Sequence, residues 1–158
     1  MKTIEFSFDN VGGMAHLYLI AVAGLIRVDT DVTDGSVLPV LASGTTLYNI
    51  EVYGGDSFLF AEQMDMQAGE AAFHVSISGF IPRLDHLPEV AELEQGEWIC
   101  VHQDANGTVL MSGTKDVPLR FVSEKSSGTP STRNATAFTL QGTEPEPSRP
   151  VHAAFSLE

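Results

Sequence analysis

The chain has 158 residues, 43% of them hydrophobic and 18% charged, with 21 acidic and 8 basic side chains and a formal net charge of −13. The length suits one domain with a real core. So acidic a balance excludes a surface that holds nucleic acid or an anionic membrane by replacing counterions with Lys and Arg. The single cysteine, Cys100, excludes an intrachain disulfide framework and a cysteine-rich zinc site.

Thr3–Phe8 alternates polar and apolar residues, the period of a half-buried strand. A turn at Asn10–Gly13 follows. The apolar run Met14–Ile26 is 13 residues long and stops at Arg27, too short for a membrane span of roughly 20 residues. Lys2 before it is offset by Glu5 and Asp9, so the positive region of a signal peptide is missing. One or two buried strands are expected there, in a soluble globular protein. Arg27–Gly35 is an acidic stretch ending in the turn dipeptide Asp34-Gly35. Ser36–Val40, Thr45–Tyr53, Ser57–Glu62 and Ala72–Ser78 read as further strands, rich in β-branched and aromatic residues.

Asp85–Glu94 reads as the one helix. Leu87, Val90, Ala91 and Leu93 lie near one face, Asp85 is the candidate N-cap, Pro88 falls in the first turn and Gly96 is the stop. Trp98–Gln103 and Thr108–Ser112 flank Asp104–Gly107, whose Asn-Gly step marks a hairpin. Pro118–Ser123 and Ala135–Gln141 are two more strands, joined by the polar loop Glu124–Asn134. The proline-rich Gly142–Pro150 reads as an extended arm outside any sheet, with a short strand over Val151–Leu157. The pattern is mainly β, a sandwich or barrel of about nine or ten short strands with one flanking α-helix. The expected division is a β-rich domain over 1–142 and a terminal arm over 143–158.

The chemistry-bearing residues are scattered. His16, His74, His86, His102 and His152 show no short metal-ligand spacing. Cys100 alternates with Trp98 and His102 on one strand face, which makes a Cys–His pair conceivable. A reactive thiol needs an electropositive, exposed setting, and the sequence shows none. Ser112–Lys115 matches the SxxK pattern of serine acylases but sits at a strand end without the companion motifs. Asp29, Asp31 and Asp34 before Gly35 depart from calcium-loop spacing and leave a weak cation site open. No catalytic, cofactor-binding or metal-binding residue is assigned, and no cofactor is expected. Residues 1–100 hold 15 acids and 3 bases, whereas 101–158 hold 6 and 5. An acidic face of one copy meeting a basic region of the next is one use of such asymmetry.

Five segments together carry a resemblance. They are Gly55–Glu62, Gly69–Pro82 ending in Ser78-Gly-Phe-Ile-Pro82, Gly96–Gly107, Leu110–Gly113 with Pro118–Phe121, and Arg133-Asn134 with Phe138 and Gly142. In order and spacing they resemble small proteins of prophage structural gene clusters, which are tail-related, over residues 3–147. The strand pattern with one intervening helix is also similar in architecture to phage tail-tube proteins. The resemblance implies a non-enzymatic structural protein that self-assembles as a homo-oligomer, such as a ring, with other phage structural proteins as partners. It implies no direct nucleic-acid binding and no membrane, and a place in the host cytoplasm during assembly, then in the virion. Glu124–Asn134 or Gly35–Thr45 would serve for contacts between rings. The alternative is a ligand- or carbohydrate-binding β-sandwich module, which would need an exposed aromatic platform. Trp98, opening an apolar strand, is expected in the core instead.

Overall fold

A computed structural model describes residues 13–51, 58–67, 69–82, 87–126 and 135–155. The strands are β1 (Met14–Ala21), β2 (Leu25–Thr30), β3 (Val37–Leu41), β4 (Leu47–Ile50), β5 (Leu59–Gln67), β6 (Glu70–Pro82), β7 (Trp98–Asp104), β8 (Val109–Ser112), β9 (Arg120–Ser126), β10 (Ala135–Glu144) and β11 (Arg149–Pro150). One α-helix, α1 (Leu87–Gln95), precedes β7. Among the described residues the protein is mainly β, with eleven strands in three antiparallel sheets. It is sandwich-like and does not close into a barrel.

The five-stranded sheet has the order β11-β8-β7-β1-β4, the four-stranded sheet β5-β6-β10-β9, and β2-β3 forms a ribbon. β7 shows why the five-stranded sheet sits in the middle. Residues Trp98 to His102 are all buried. Alternate side chains point to opposite faces of a strand. Trp98 and Cys100 join Leu17, Leu19, Val75, Ile77, Phe121, Phe138 and Leu140 in the core facing the four-stranded sheet. Ile99 and Val101 join Ile20, Leu25, Val37 and Met111 in a second core, against the ribbon. A strand covered on both faces reads as a continuous apolar run, as β1 and β7 do. Each fully buried aliphatic side chain contributes about 1.5–3 kcal/mol, so these two strands carry much of the folding free energy.

The run Met14–Ile26 is accordingly two strands, β1 and β2, around a single 3-10 turn at Val22–Gly24. Ile26, at the register shift between Leu25 and Arg27, is 52% exposed. No helix among the described residues is long and apolar enough to cross a membrane.

The expected helix forms, with Val90 and Leu93 buried in the first core. Its N-cap candidate Asp85 lies outside the described residues. Gly96 follows the last helical residue for a reason the sequence hid. A Cβ there would lie 2.4 Å from the Trp98 ring, whose Nε1–H donates to the Leu93 carbonyl at 2.7 Å. The hairpin after β7 uses the αL glycine of a three-residue loop. Gly107 has φ 90°, and Asp104 Oδ1 accepts the N–H groups of Asn106 and Thr108 at 2.9 and 2.7 Å.

Three expectations change. β5 runs to Gln67, past the expected end at Glu62, so β5 and β6 form a long hairpin. β10 runs to the buried Glu144, past the expected strand end at Gln141. The proline-rich segment does enter a sheet: Arg149 and Pro150 pair with Met111 and Leu110 at its edge. An edge position tolerates proline because one side of the strand needs no ladder donor. Val151 then bridges to Val37 of the ribbon, and the His152 N–H donates to the Val37 carbonyl at 2.8 Å. The Thr3–Phe8 strand, residues 127–134 of the polar loop and the end of the Val151–Leu157 strand lie outside the described residues.

Gly79 tests the packing between the sheets. A Cβ there would meet Phe58 ring atoms at 2.6 Å and Phe138 Cζ at 3.1 Å. Phe58 is itself wedged against Phe80 and Phe138. Gly79→Ala is expected to cost about 1–3 kcal/mol in urea unfolding, whereas Ala137→Gly, on the exposed face, should cost less.

Candidate functional site

The residues singled out in the sequence do not converge. Cys100 is fully buried, and burial together with the Glu144 carboxylate pushes its thiol far above the ordinary range. It stays protonated and inert. His102 shares its face, but burial pulls the imidazole down to about 4 against smaller opposing effects of Asp104 and Glu62. Burial thus disfavours both the thiolate and the imidazolium that a reactive pair would need. Ser112 Oγ lies 2.7 Å from Ser148 Oγ, while Lys115 Nζ points to the Leu25 carbonyl at 3.5 Å. The acylase-like serine and lysine therefore serve different partners.

The three aspartates also separate. Asp29 pairs with Arg27 at 2.8 Å. Asp31 Oδ1 accepts the Thr33 N–H at 2.7 Å, and Asp34 Oδ1 accepts the Ser36 N–H at 2.8 Å. The last two are turn-capping bonds of the kind short acidic side chains make with their own backbone. Among the described residues no three His, Cys, Asp or Glu side chains are grouped to hold a metal ion. His74 Nδ1 is 2.9 Å from Thr143 Oγ1, His152 Nδ1 accepts the Ala154 N–H at 3.0 Å, and His16 is exposed. His86 lies outside the described residues. Trp98 is buried, as its place in an apolar strand implied, and offers no platform to a sugar.

Three features stand out instead. The first is a hollow of about 260 Å³ beside His102, lined by Met14, Phe58, Phe60 and Leu110 below Asp104, Asn106 and Thr108. Phe60 packs on the imidazole with ring centroids 4.4 Å apart. The second is a polar seam under the C-terminal segment. Glu144 Oε1 accepts the Gly113 N–H at 2.8 Å, and Glu62 Oε2 accepts the Ser148 N–H at 2.7 Å. Burial, and then the nearby Glu62 charge, raise the Glu144 carboxyl above the ordinary range, partly offset by the Gly113 bond and Arg149.

The third feature is the rim of the four-stranded sheet. Among the described residues no strand pairs with its edge strands β5 and β9 on their outer sides, though α1 packs beside β9, where Ser123 donates to Glu94 and Arg120 pairs with Glu97. Leu59, Met64, Met66 and Val122 on these edges are 50–62% exposed. Past Glu62, which meets the C-terminal segment at Ser148, Met64 and Met66 are left uncovered by the opposite sheet. Sequence reading ended this strand too early. The signal was Gln63-Met-Asp-Met-Gln67, a polar–apolar alternation written in residues that are poor strand formers.

Searches of family models, of characterised proteins and of solved structures find no match to this chain.

His102 makes stability pH-dependent. Its folded value lies below the unfolded value near 6.5, so the unfolded chain binds more protons between them. Its contribution is complete above about pH 6.5 and is lost as pH falls toward about 4, a change of about 3 kcal/mol. His102→Phe should flatten that limb of the stability profile in denaturant titrations. Glu144 has the opposite sign, since its carboxyl takes up a proton more readily when folded. Glu144→Gln should keep the Gly113 bond and raise the thermal midpoint at neutral pH. A lowered midpoint would mean that the charge itself is needed.

Proposed function

We propose that this chain is a non-enzymatic structural protein of phage origin, a tube-like tail component that acts by self-assembly. The observation that carries this reading is the pair of open edges on the four-stranded sheet. Every neighbouring pair in the order β5-β6-β10-β9 is antiparallel. With four strands, β5 and β9 therefore run in opposite directions. A copy related by rotation about an axis along the strands would add its β5 to β9 as one more antiparallel pair. Unpaired edges template this kind of contact, and soluble proteins usually block them.

The charges match. β5 carries Glu62 and Asp65 and no base, whereas β9 carries Lys125 and Arg120, the latter paired with Glu97, against the single acid Glu124. Such a heterologous contact makes a ring when its rotation closes. The long β5–β6 hairpin, with Met64 and Met66 uncovered, joins Glu124–Asn134 and Gly35–Thr45 as a segment for further contacts. Gly35–Thr45 contains the ribbon strand β3. The resemblance of Gly55–Glu62, Gly69–Pro82 and Gly96–Gly107 to prophage tail-related proteins agrees with this reading, as does the scatter of chemistry-bearing residues.

Light scattering across a concentration series, with negative-stain images of the same samples, tests it. The expected result is a concentration-dependent mass with rings or short tubes. The double variant Met64→Lys, Met66→Lys should be folded and shifted to the monomer. A wild-type mass that stays monomeric throughout, with no effect of the double variant, speaks for a ligand-binding module instead.

A further inference from the structure

The hollow beside His102 has a buried polar side chain in its lining, and we infer that it binds a small aromatic amine. Its floor is apolar and partly aromatic, formed by Met14, Phe58, Phe60 and Leu110. His102 is 3% exposed, and its Nδ1 has no hydrogen-bond partner. A buried polar atom left unpaired costs about 1–3 kcal/mol, and native proteins keep few of them. A hollow with apolar walls and a few fixed polar groups is the usual form of a small-molecule site.

The charge of the lining selects the ligand. Among the described residues no Lys or Arg lines the hollow, and Asp104 is part of its lining. Glu62 also acts on the imidazole. His102 itself is neutral at pH 7. The field therefore favours a cation and repels a carboxylate. Asp104 Oδ1 already holds the Asn106 and Thr108 N–H groups. The Asn106 and Thr108 side chains bond to the same carboxylate, so Asp104 acts on a ligand through its charge rather than through a spare acceptor position. The volume of about 260 Å³ lies just under the usual range for drug-sized ligands and admits one ring rather than two. A ring against Phe60 and Leu110, with a short amine toward Asp104, fits the apolar lining and the charge of the hollow. The inference stands apart from the assembly proposal.

Benzylamine is the probe and benzoate its control, with binding followed by NMR of the His102 imidazole. The expected result is a saturable shift with a dissociation constant on the order of 1 mM, and at least about tenfold weaker binding of benzoate. Leu110→Trp, which fills the hollow, should abolish the shift. Thr108→Arg, at an exposed rim position that leaves the core intact, should weaken benzylamine and spare benzoate. The inference is overturned if benzylamine leaves His102 unmoved at tenfold that concentration, if benzoate binds as well, or if both variants bind benzylamine like wild type.

Discussion

The burial of β7 on both faces is the constraint on which the rest of the structure depends. Trp98, Cys100 and His102 must be covered from one side and Ile99 and Val101 from the other. No single second layer can do both. The four-stranded sheet and α1 cover one face. The ribbon β2–β3 covers the other, helped by Val151 and Phe155 of the C-terminal segment. That segment earns its place by joining layers. It pairs with β8, bonds to the ribbon at Val37 and meets the four-stranded sheet at Glu62.

The same constraint leaves the four-stranded sheet with one covered face. Its inner residues Val75, Ile77, Phe121, Phe138 and Leu140 are buried, while Ala137, Gln141 and Thr143 on the other face are exposed. Among the described residues no strand pairs with β5 or β9 on its outer side, although Leu119, just before β9, bridges to Trp98. Covering β7 thus yields a sheet whose free edges run in opposite directions and carry opposite charge bias. The proposed assembly uses what the core arrangement leaves over. The chemistry of the interior agrees with a structural role. Burial keeps Cys100 protonated and His102 neutral, which stabilises a dry core and disfavours the charged forms that nucleophilic catalysis would use.

Much of this fold was legible in the sequence because the signals were local. Period-two alternation located most of the strands, the Asn106-Gly107 step located the β7–β8 hairpin, and a short amphipathic stretch located α1. The continuous apolar character of Met14–Ile26 announced burial but not two-sided burial, which depends on distant residues such as Val37 and Leu140. The far half of β5 was missed because Gln63, Met64, Asp65 and Met66 keep the alternation without strand-forming residue types. Arg149-Pro150 was misplaced because proline argues against a strand in general, yet an edge position removes the objection. The hollow and the Glu62–Glu144 seam were invisible. Their members lie on strands far apart in the chain, and only the packing of the two sheets brings them together.

Hydrogen exchange measured at low and high protein concentration tests the central claim most directly. The account predicts that concentration adds protection to the edge amides of Leu59–Gln67 and Arg120–Ser126, with β1 and β7 unchanged because they are already buried. Protection that is independent of concentration on both edges, or that rises only at β4 or β11, would contradict it.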